Sequence, residues 1–344
     1  MRSRQGINVV GRRLLRWTMV TAKDVAKRAG VSQATVSYVM SGSRPISEAT
    51  KQRVRKAMRE LNYVPNVNAR SLAGGKTGVI GVVVRMDEDT DMAELRPFLV
   101  VIMREARAQG YNVMLIPADE GVDGLDRMVR QRMVDGIIVF DIEWHDNRLE
   151  RIAEMDIPTV LFGSPEDSHG LACVDVDYRR IAQLAVNNLA EQGAERIVVI
   201  GDYGRDATRY PFSKFFAGEA HAVAAVLGMA CTVFVPPQDG WRGIWALKDE
   251  VVDLSRVHGG VAVRTPRALN YLLQLCADLG IVPGRDLYIV AVYTDDYARS
   301  LPRPVSNVDP VPGEMARKAV DGIFAQLRGE RISDQLLLPH VTMR

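Results

Sequence analysis

The 344-residue chain has only three cysteines, Cys173, Cys231 and Cys276, and they lie far apart. So small and scattered a set excludes a disulfide framework and a cysteine-built zinc site, and it fits a reducing cytoplasm. Each cysteine reads as a small buried apolar residue. The five histidines, at 145, 169, 221, 258 and 340, are just as dispersed. No apolar run reaches the ~18 residues that a membrane-spanning helix needs. No G-x-S-x-G elbow, phosphate-binding loop or metal-ligand spacing occurs. The chain therefore gives no ground for a cofactor, a metal or a motif-bearing enzyme.

Acidic residues are scarce at one end. Residues 1–77 hold 16 Lys and Arg against three acids, Asp24, Glu48 and Glu60, a balance of +13. The remaining 28 basic and 39 acidic residues give −11, so the stated net charge of +2 hides a basic head on an acidic body. Such asymmetry points to a polyanion partner for the basic part, with binding that weakens as salt rises.

The basic head has the grammar of a helix-turn-helix. Thr21 is placed to cap a helix whose apolar positions are Val25, Ala26 and Ala29, and Gly30 suits its left-handed end. Ser32 then caps a second short helix with Val36 and Val39 facing inward. A third helix runs from a cap at Ser47 to about Leu61. Two short helices joined by a tight turn are a common way to lay one helix in the major groove of DNA. In that arrangement the first turn of the second helix faces base edges, which places Gln33 and Ala34 in the groove and Tyr38 one turn on. A Gln amide pairs with adenine, and an Ala methyl meets a thymine methyl. Ser32, Thr35 and Ser37 offer hydroxyls to phosphates, although Thr35 and Ser37 also read as ordinary surface positions.

After residue 78 the pattern changes. Val/Ile-rich runs at 79–84, 111–116, 136–140, 158–162, 172–176, 196–201, 231–235, 260–263 and 287–292 alternate with amphipathic stretches such as 97–109, 178–192, 214–227, 267–279 and 313–327. That alternation means parallel sheets covered on both faces. So many units in one stretch imply two α/β lobes, each a doubly wound parallel sheet. A last short strand is expected over 336–340, ending at Pro339.

The sequence resembles the lactose-repressor (LacI/GalR) family of bacterial transcription regulators. The resemblance is carried by Asp24-Val25-Ala26, Ala29-Gly30-Val31-Ser32, Thr35-Val36-Ser37, Leu61-Asn62-Tyr63-Val64-Pro65-Asn66 and Ala69-Arg70-Ser71-Leu72, without a gap. It implies residues 1–18 as a disordered leader, 19–64 as the DNA-binding domain, 65–77 as hinge helix and linker, and 78–344 as a periplasmic-binding-protein-like core. The chain of such a core crosses between lobes three times, here near Val176, Asn307 and Arg328. Lobe 1 would then be 78–176 with 307–328, and lobe 2 would be 177–306 with 329–344. The hinge helices of a dimer lie in the minor groove, where Leu72 is the matching wedge, Ala69 allows close approach, and Asn66 and Arg70 are contacts.

The resemblance also implies a small-molecule cleft between the lobes. The positions that match its usual polar contacts are Gly163, Lys214 with Phe215, Arg264, and Thr294 with its neighbour Asp295. Sugar recognition needs buried acids and amides. Gly163 and Thr294 supply none, and Arg264 adds a cation, so the expected effector is an anion or another non-sugar molecule rather than a neutral sugar. The whole reading is a cytoplasmic, homodimeric repressor that binds a pseudo-palindromic double-stranded DNA operator. A periplasmic carrier would need a signal peptide and no DNA head, and an enzyme would need a catalytic motif.

Overall fold

The computed structural model describes residues 20–41, 44–63, 76–86, 90–202, 209–303 and 305–342. The chain divides into a head, residues 1–77, and a core, residues 78–344.

The head has helices α1 (Ala22–Ala29), α2 (Gln33–Ser41) and α3 (Glu48–Glu60). Thr21 and Asp24 form a capping box. The Thr21 hydroxyl accepts from the Asp24 N–H at 3.4 Å, and the Asp24 carboxylate accepts from the Thr21 N–H at 2.9 Å. Gly30 ends α1 with a left-handed φ of 66°. Ser32 starts α2 by accepting from the Thr35 N–H at 3.1 Å. Val25, Ala26, Ala29, Val36, Val54 and Ala57 bury themselves together and hold the three helices.

In the core, β1 (Val79–Val84), β2 (Asn112–Pro117), β3 (Gly136–Val139), β4 (Thr159–Phe162) and β5 (Ala172–Val176) build one sheet. A second sheet holds β6 (Arg196–Ile200), β7 (Ala230–Phe234), β8 (Gly260–Val263), β9 (Tyr288–Val292) and β10 (Ser306–Asp309). The tail adds β11 (Gln335–Leu337) to the first sheet and β12 (His340–Thr342) to the second. The orders are β11-β5-β4-β3-β1-β2 and β12-β10-β9-β8-β6-β7. Every pairing is parallel except β12 with β10. Apart from the tail strands, each sheet has the doubly wound 2-1-3-4-5 order, whose topological switch lies between its first and third strands. The central strands are legible because they are apolar throughout: all of β3 and all of β8 are buried.

The helix Pro312–Leu327 packs on the helix Met92–Ala108 and over β3, β4 and β5. Its Gln326 clamps the start of β4. The Thr159 N–H donates to Oε1 at 2.9 Å, and Nε2 donates to the Thr159 carbonyl at 2.8 Å.

The chain passes between the lobes three times, and the third passage differs from expectation. The first leaves β5 at Val176, where Asp177 caps the helix Tyr178–Glu191. The second follows Asp309, two residues past Asn307: β10 still belongs to the second sheet, and the turn comes at Val311, whose φ of 50° is strained for a β-branched residue. The Asp309 carboxylate holds that turn by accepting from the Val311 N–H at 2.7 Å. The third crossing lies at 338–339, not near Arg328. Gly329 turns the chain back with a φ of 81°, the Asp334 carboxylate accepts from the Cys173 N–H, and β11 then pairs with β5. What reads as one strand over 336–340 is two, because Pro339 has no N–H with which to continue a ladder.

Candidate nucleic-acid interface and ligand cleft

On α2 the residues Gln33, Ala34 and Ser37 are exposed and share one face, while Val36 is fully buried. Tyr38 is half-buried, and the Arg44 guanidinium stands 5.5 Å from the centre of its ring. Ser32 and Thr35 turn toward one another, with their hydroxyls 2.9 Å apart. The head thus brings Gln33, Ala34 and Ser37 together on an open helix face, spends Ser32 on the cap and leaves Thr35 half-buried. Asn66, Ala69, Arg70 and Leu72, and the leader 1–18, lie outside the described residues.

In the core, two adjoining cavities of about 190 and 160 Å³ open where the two sheets present the carboxyl ends of their strands. They share Glu94, Asp141, Phe212 and Arg264. The lining follows the topology. Arg85 and Asp141 come from the switch point of the first sheet, just past β1 and close after β3, and Gly201, Asp202 and Arg264 come from that of the second, just past β6 and β8. Asp91 and Glu94 come from the start of the helix Met92–Ala108, and Arg267 from the helix Pro266–Asp278.

Charged groups reach across the cleft. Arg264 pairs with Asp202 of its own lobe, and its Nη1 lies 3.9 Å from Glu94 Oε1 of the other. Arg267 pairs with Asp239, and its Nε lies 3.5 Å from Asp91 Oδ2. Asp202 also accepts from the Ser213 hydroxyl, and Tyr293 donates its hydroxyl proton to the Ala93 carbonyl across the same gap. Burial pushes the Glu94 carboxyl up to about 7 against the pull of Arg264. Burial likewise pushes Asp175 up to about 6. For Arg264 burial works against the charge, but Asp202 and Glu94 outweigh it and hold the guanidinium above its ordinary value.

The second cavity is more aromatic. Phe140 and Phe162 stack at 4.3 Å, and Phe98 meets both edge-on. Tyr178 and Phe212 complete that wall, with the Arg264 guanidinium 4.5 Å from the Phe212 ring centre.

Of the six cleft positions expected from sequence, Gly163 and Arg264 line the cavities. Lys214 and Phe215 sit beside them in a separate cluster: the Lys214 ammonium lies 4.6 Å from the Trp144 ring, and Phe215 meets Trp144 and the Arg179 guanidinium. Thr294 caps the helix Asp295–Ser300, and the Asp295 carboxylate accepts from Asn307 at 2.9 Å and lies 3.0 Å from His340 Nε2. Those two residues hold the backbone near the second crossing. Acids absent from Gly163 and Thr294 come instead from other positions: Asp91, Glu94, Asp141, Asp175, Asp202 and Asp239 line the cavities, Asp175 buried and the others part-buried. The sequence signal was there: Asp141, Asp202 and Arg264 lie within two residues of strand carboxyl ends, where doubly wound folds bind ligands.

Comparison with known proteins follows the same division. A family described as bacterial regulatory proteins, lacI family, matches residues 21–66. Periplasmic binding proteins and sugar binding domain of LacI family matches 77–209, and a periplasmic binding protein-like domain matches 186–344. The chain is 36% identical over 189 residues to the HTH-type transcriptional regulator MalR of Streptococcus pneumoniae, covering 53% of this chain and 57% of that one. It is 34% identical over 194 residues to the maltose regulon regulatory protein MalI of Escherichia coli, covering 55% and 56%. The chain thus spans about half the length of the curated relatives it matches. Among solved structures, the lac repressor dimer bound to operator and the anti-inducer ONPF aligns with a TM-score of 0.79 at 19% identity, over 94% of this chain and 98% of that one. The transcriptional regulator CelR–cellobiose complex aligns at 0.66 and 21%, over 94% and 99%. At these identities the two structures speak for the fold.

Proposed function

The chain belongs to the lacI family of bacterial regulatory proteins, and on that premise we propose that it is a cytoplasmic transcriptional repressor that binds operator DNA as a homodimer and is released by a small polar molecule in the cleft. The observation that carries this reading is the open face of α2, where Gln33, Ala34 and Ser37 stand exposed on a head of net charge +13. Gln33 and Ala34 read base edges, and Ser37 contacts a phosphate. Ser32 positions the helix through its cap. Asn66, Ala69, Arg70 and Leu72 form the minor-groove hinge.

A dimer is supported by apolar side chains at the matching edges of both sheets. Val100 and Met103 are half-exposed on the helix Met92–Ala108, with Leu115 on edge strand β2 beside it. Val233 and Val235 are exposed at edge strand β7. Unpaired edges flanked by apolar surface favour a second copy. No helix among the described residues is long and apolar enough to cross a membrane. The cleft supports the sensor role, because groups from both lobes meet there and a ligand that binds one arrangement better shifts the other.

The test is footprinting of the purified protein on the DNA upstream of its own gene, with a salt titration. The expected result is protection of a two-fold symmetric site with steeply salt-dependent affinity. Uniform binding to all DNA, with no protected site, would sink the repressor reading.

A further inference from the structure

The smaller of the two cavities has the size and the walls of a site for one aromatic ring. Its volume is about 160 Å³. An engineered apolar cavity of about 150 Å³, lined by Leu, Ile and Phe, stays dry and takes up benzene. The rings that line the present cavity come from both lobes. Phe98, Phe140 and Phe162 belong to the first, with Phe140 just past β3 and Phe162 at the end of β4. Phe212 and Tyr293 belong to the second, at the start of the helix Pro211–Val226 and just past β9. Phe98 meets Phe140 and Phe162 edge-on at 5.8 and 5.4 Å. Aromatic pairs of this geometry gain more than the burial of an equal apolar area.

The cavity also adjoins two of the crossings between the lobes. Pro310 and Pro312, on either side of Val311, line it at the second crossing, and Tyr178 lines it two residues after Val176, at the first. One polar group there is left over. The Tyr178 hydroxyl takes part in no hydrogen bond among the described residues. A tyrosine hydroxyl packed among apolar groups usually finds a partner, so a ligand in this cavity has a place for one polar substituent.

We propose that the smaller cavity receives a benzene-sized aromatic ring of the effector, with the Tyr178 hydroxyl meeting a polar substituent on it and the rest of the molecule reaching into the larger, charged cavity. This rests on the reading of the cleft as the effector site and names the chemistry of that effector. A ring held between Phe98 of one lobe and Phe212 of the other is bound best in one arrangement of the two, which is what release from DNA requires. A neutral sugar ring carries hydroxyls around its edge, and burying them against phenylalanine and proline is unfavourable.

The experiment compares three probes on the full chain, benzyl alcohol, cyclohexylmethanol and glucose, by thermal shift and by saturation-transfer NMR. Benzyl alcohol is expected to raise the Tm and to bind about five-fold more tightly than cyclohexylmethanol, because only its ring joins the aromatic cluster. Glucose at the same concentration is expected to give no shift. Phe98→Leu keeps an apolar side chain and is expected to bring the two alcohols to equal affinity. Leu95→Trp, at a half-buried position of the same wall, fills the space and is expected to abolish binding of benzyl alcohol. The proposal is overturned if benzyl alcohol gives no shift, if cyclohexylmethanol or glucose binds as tightly, if the preference survives in Phe98→Leu, or if a folded Leu95→Trp binds benzyl alcohol as the parent does. Should Leu95→Trp not fold, the ratio of the two alcohols in the parent and in Phe98→Leu decides alone. A gel shift of the unliganded protein reports DNA binding separately, so failure here and failure of the repressor reading are told apart.

Discussion

Asp91 and Arg267 meet across the cleft with Oδ2 and Nε 3.5 Å apart, an ion pair without a good hydrogen bond. The two residues come from opposite lobes and are far apart in sequence. Their meeting shows the cleft as a surface assembled by topology, and the charge it gathers sets how the protein responds to pH and to substitution.

Glu94 gives a pH dependence of definite sign. Its folded pKa, pushed up to about 7, lies above the ordinary 4.5 of an unfolded Glu. The folded state therefore holds this proton more tightly, and stability falls as pH rises through 4.5 to 7. Glu94→Gln is expected to be more stable than the parent at pH 8, with the gain vanishing toward pH 5. Thermal melts of both proteins across that range check it, and a gain that persists unchanged at pH 5 would assign the effect to something other than titration.

Gln33→Ala is expected to relax preference at one base pair in each half-site, at a cost of roughly 1–3 kcal/mol per contact. Selection from a randomised operator pool measures it. An unchanged selected sequence would show that Gln33 does not read bases.

Leu72→Ala is expected to reduce DNA bending and weaken specific binding while sparing the salt-driven, non-specific kind. Gel mobility of bent-probe sets, run beside competition with bulk DNA, separates the two. Equal loss of both would give Leu72 a role in folding.

Gln326→Ala removes both hydrogen bonds that hold Thr159, which is 1% exposed. The loss is expected to be roughly 1–3 kcal/mol, since buried backbone groups are left unpaired. Urea unfolding of the core checks it, and a midpoint within error of the parent would mean that water replaces the amide.

Much of this was legible in sequence, and the reasons are physical. The head reads cleanly because Thr21, Gly30, Ser32 and Ser47 act through neighbours three or four residues away. The central strands read because burial on both faces leaves only Val and Ile there. Helix starts were misplaced where a Pro or a cap came earlier than the apolar pattern: the helix expected from 97 begins at Met92, behind the Asp91 cap. Strand β10 was missed because its sequence, Ser306-Asn307-Val308-Asp309, is polar. Asn307 is nonetheless fully buried, with its amide held by Tyr293 and Asp295. The cleft was the least legible part. Asp91, Glu94, Asp239 and Arg267 carry no local signature, and only the folded chain brings them to Arg264.

The split at Pro339 bears on how the protein is made. Strand β11 closes one edge of the first sheet, and β12, two residues later, closes the matching edge of the second. Domains generally fold in order as the chain leaves the ribosome. Here both lobes wait for the same short stretch, residues 335–342, so each emerges with an open edge at β5 or β10. A frameshift or proteolytic clip upstream of Gln335 would therefore leave two unfinished sheets at once, each able to pair with another nascent chain.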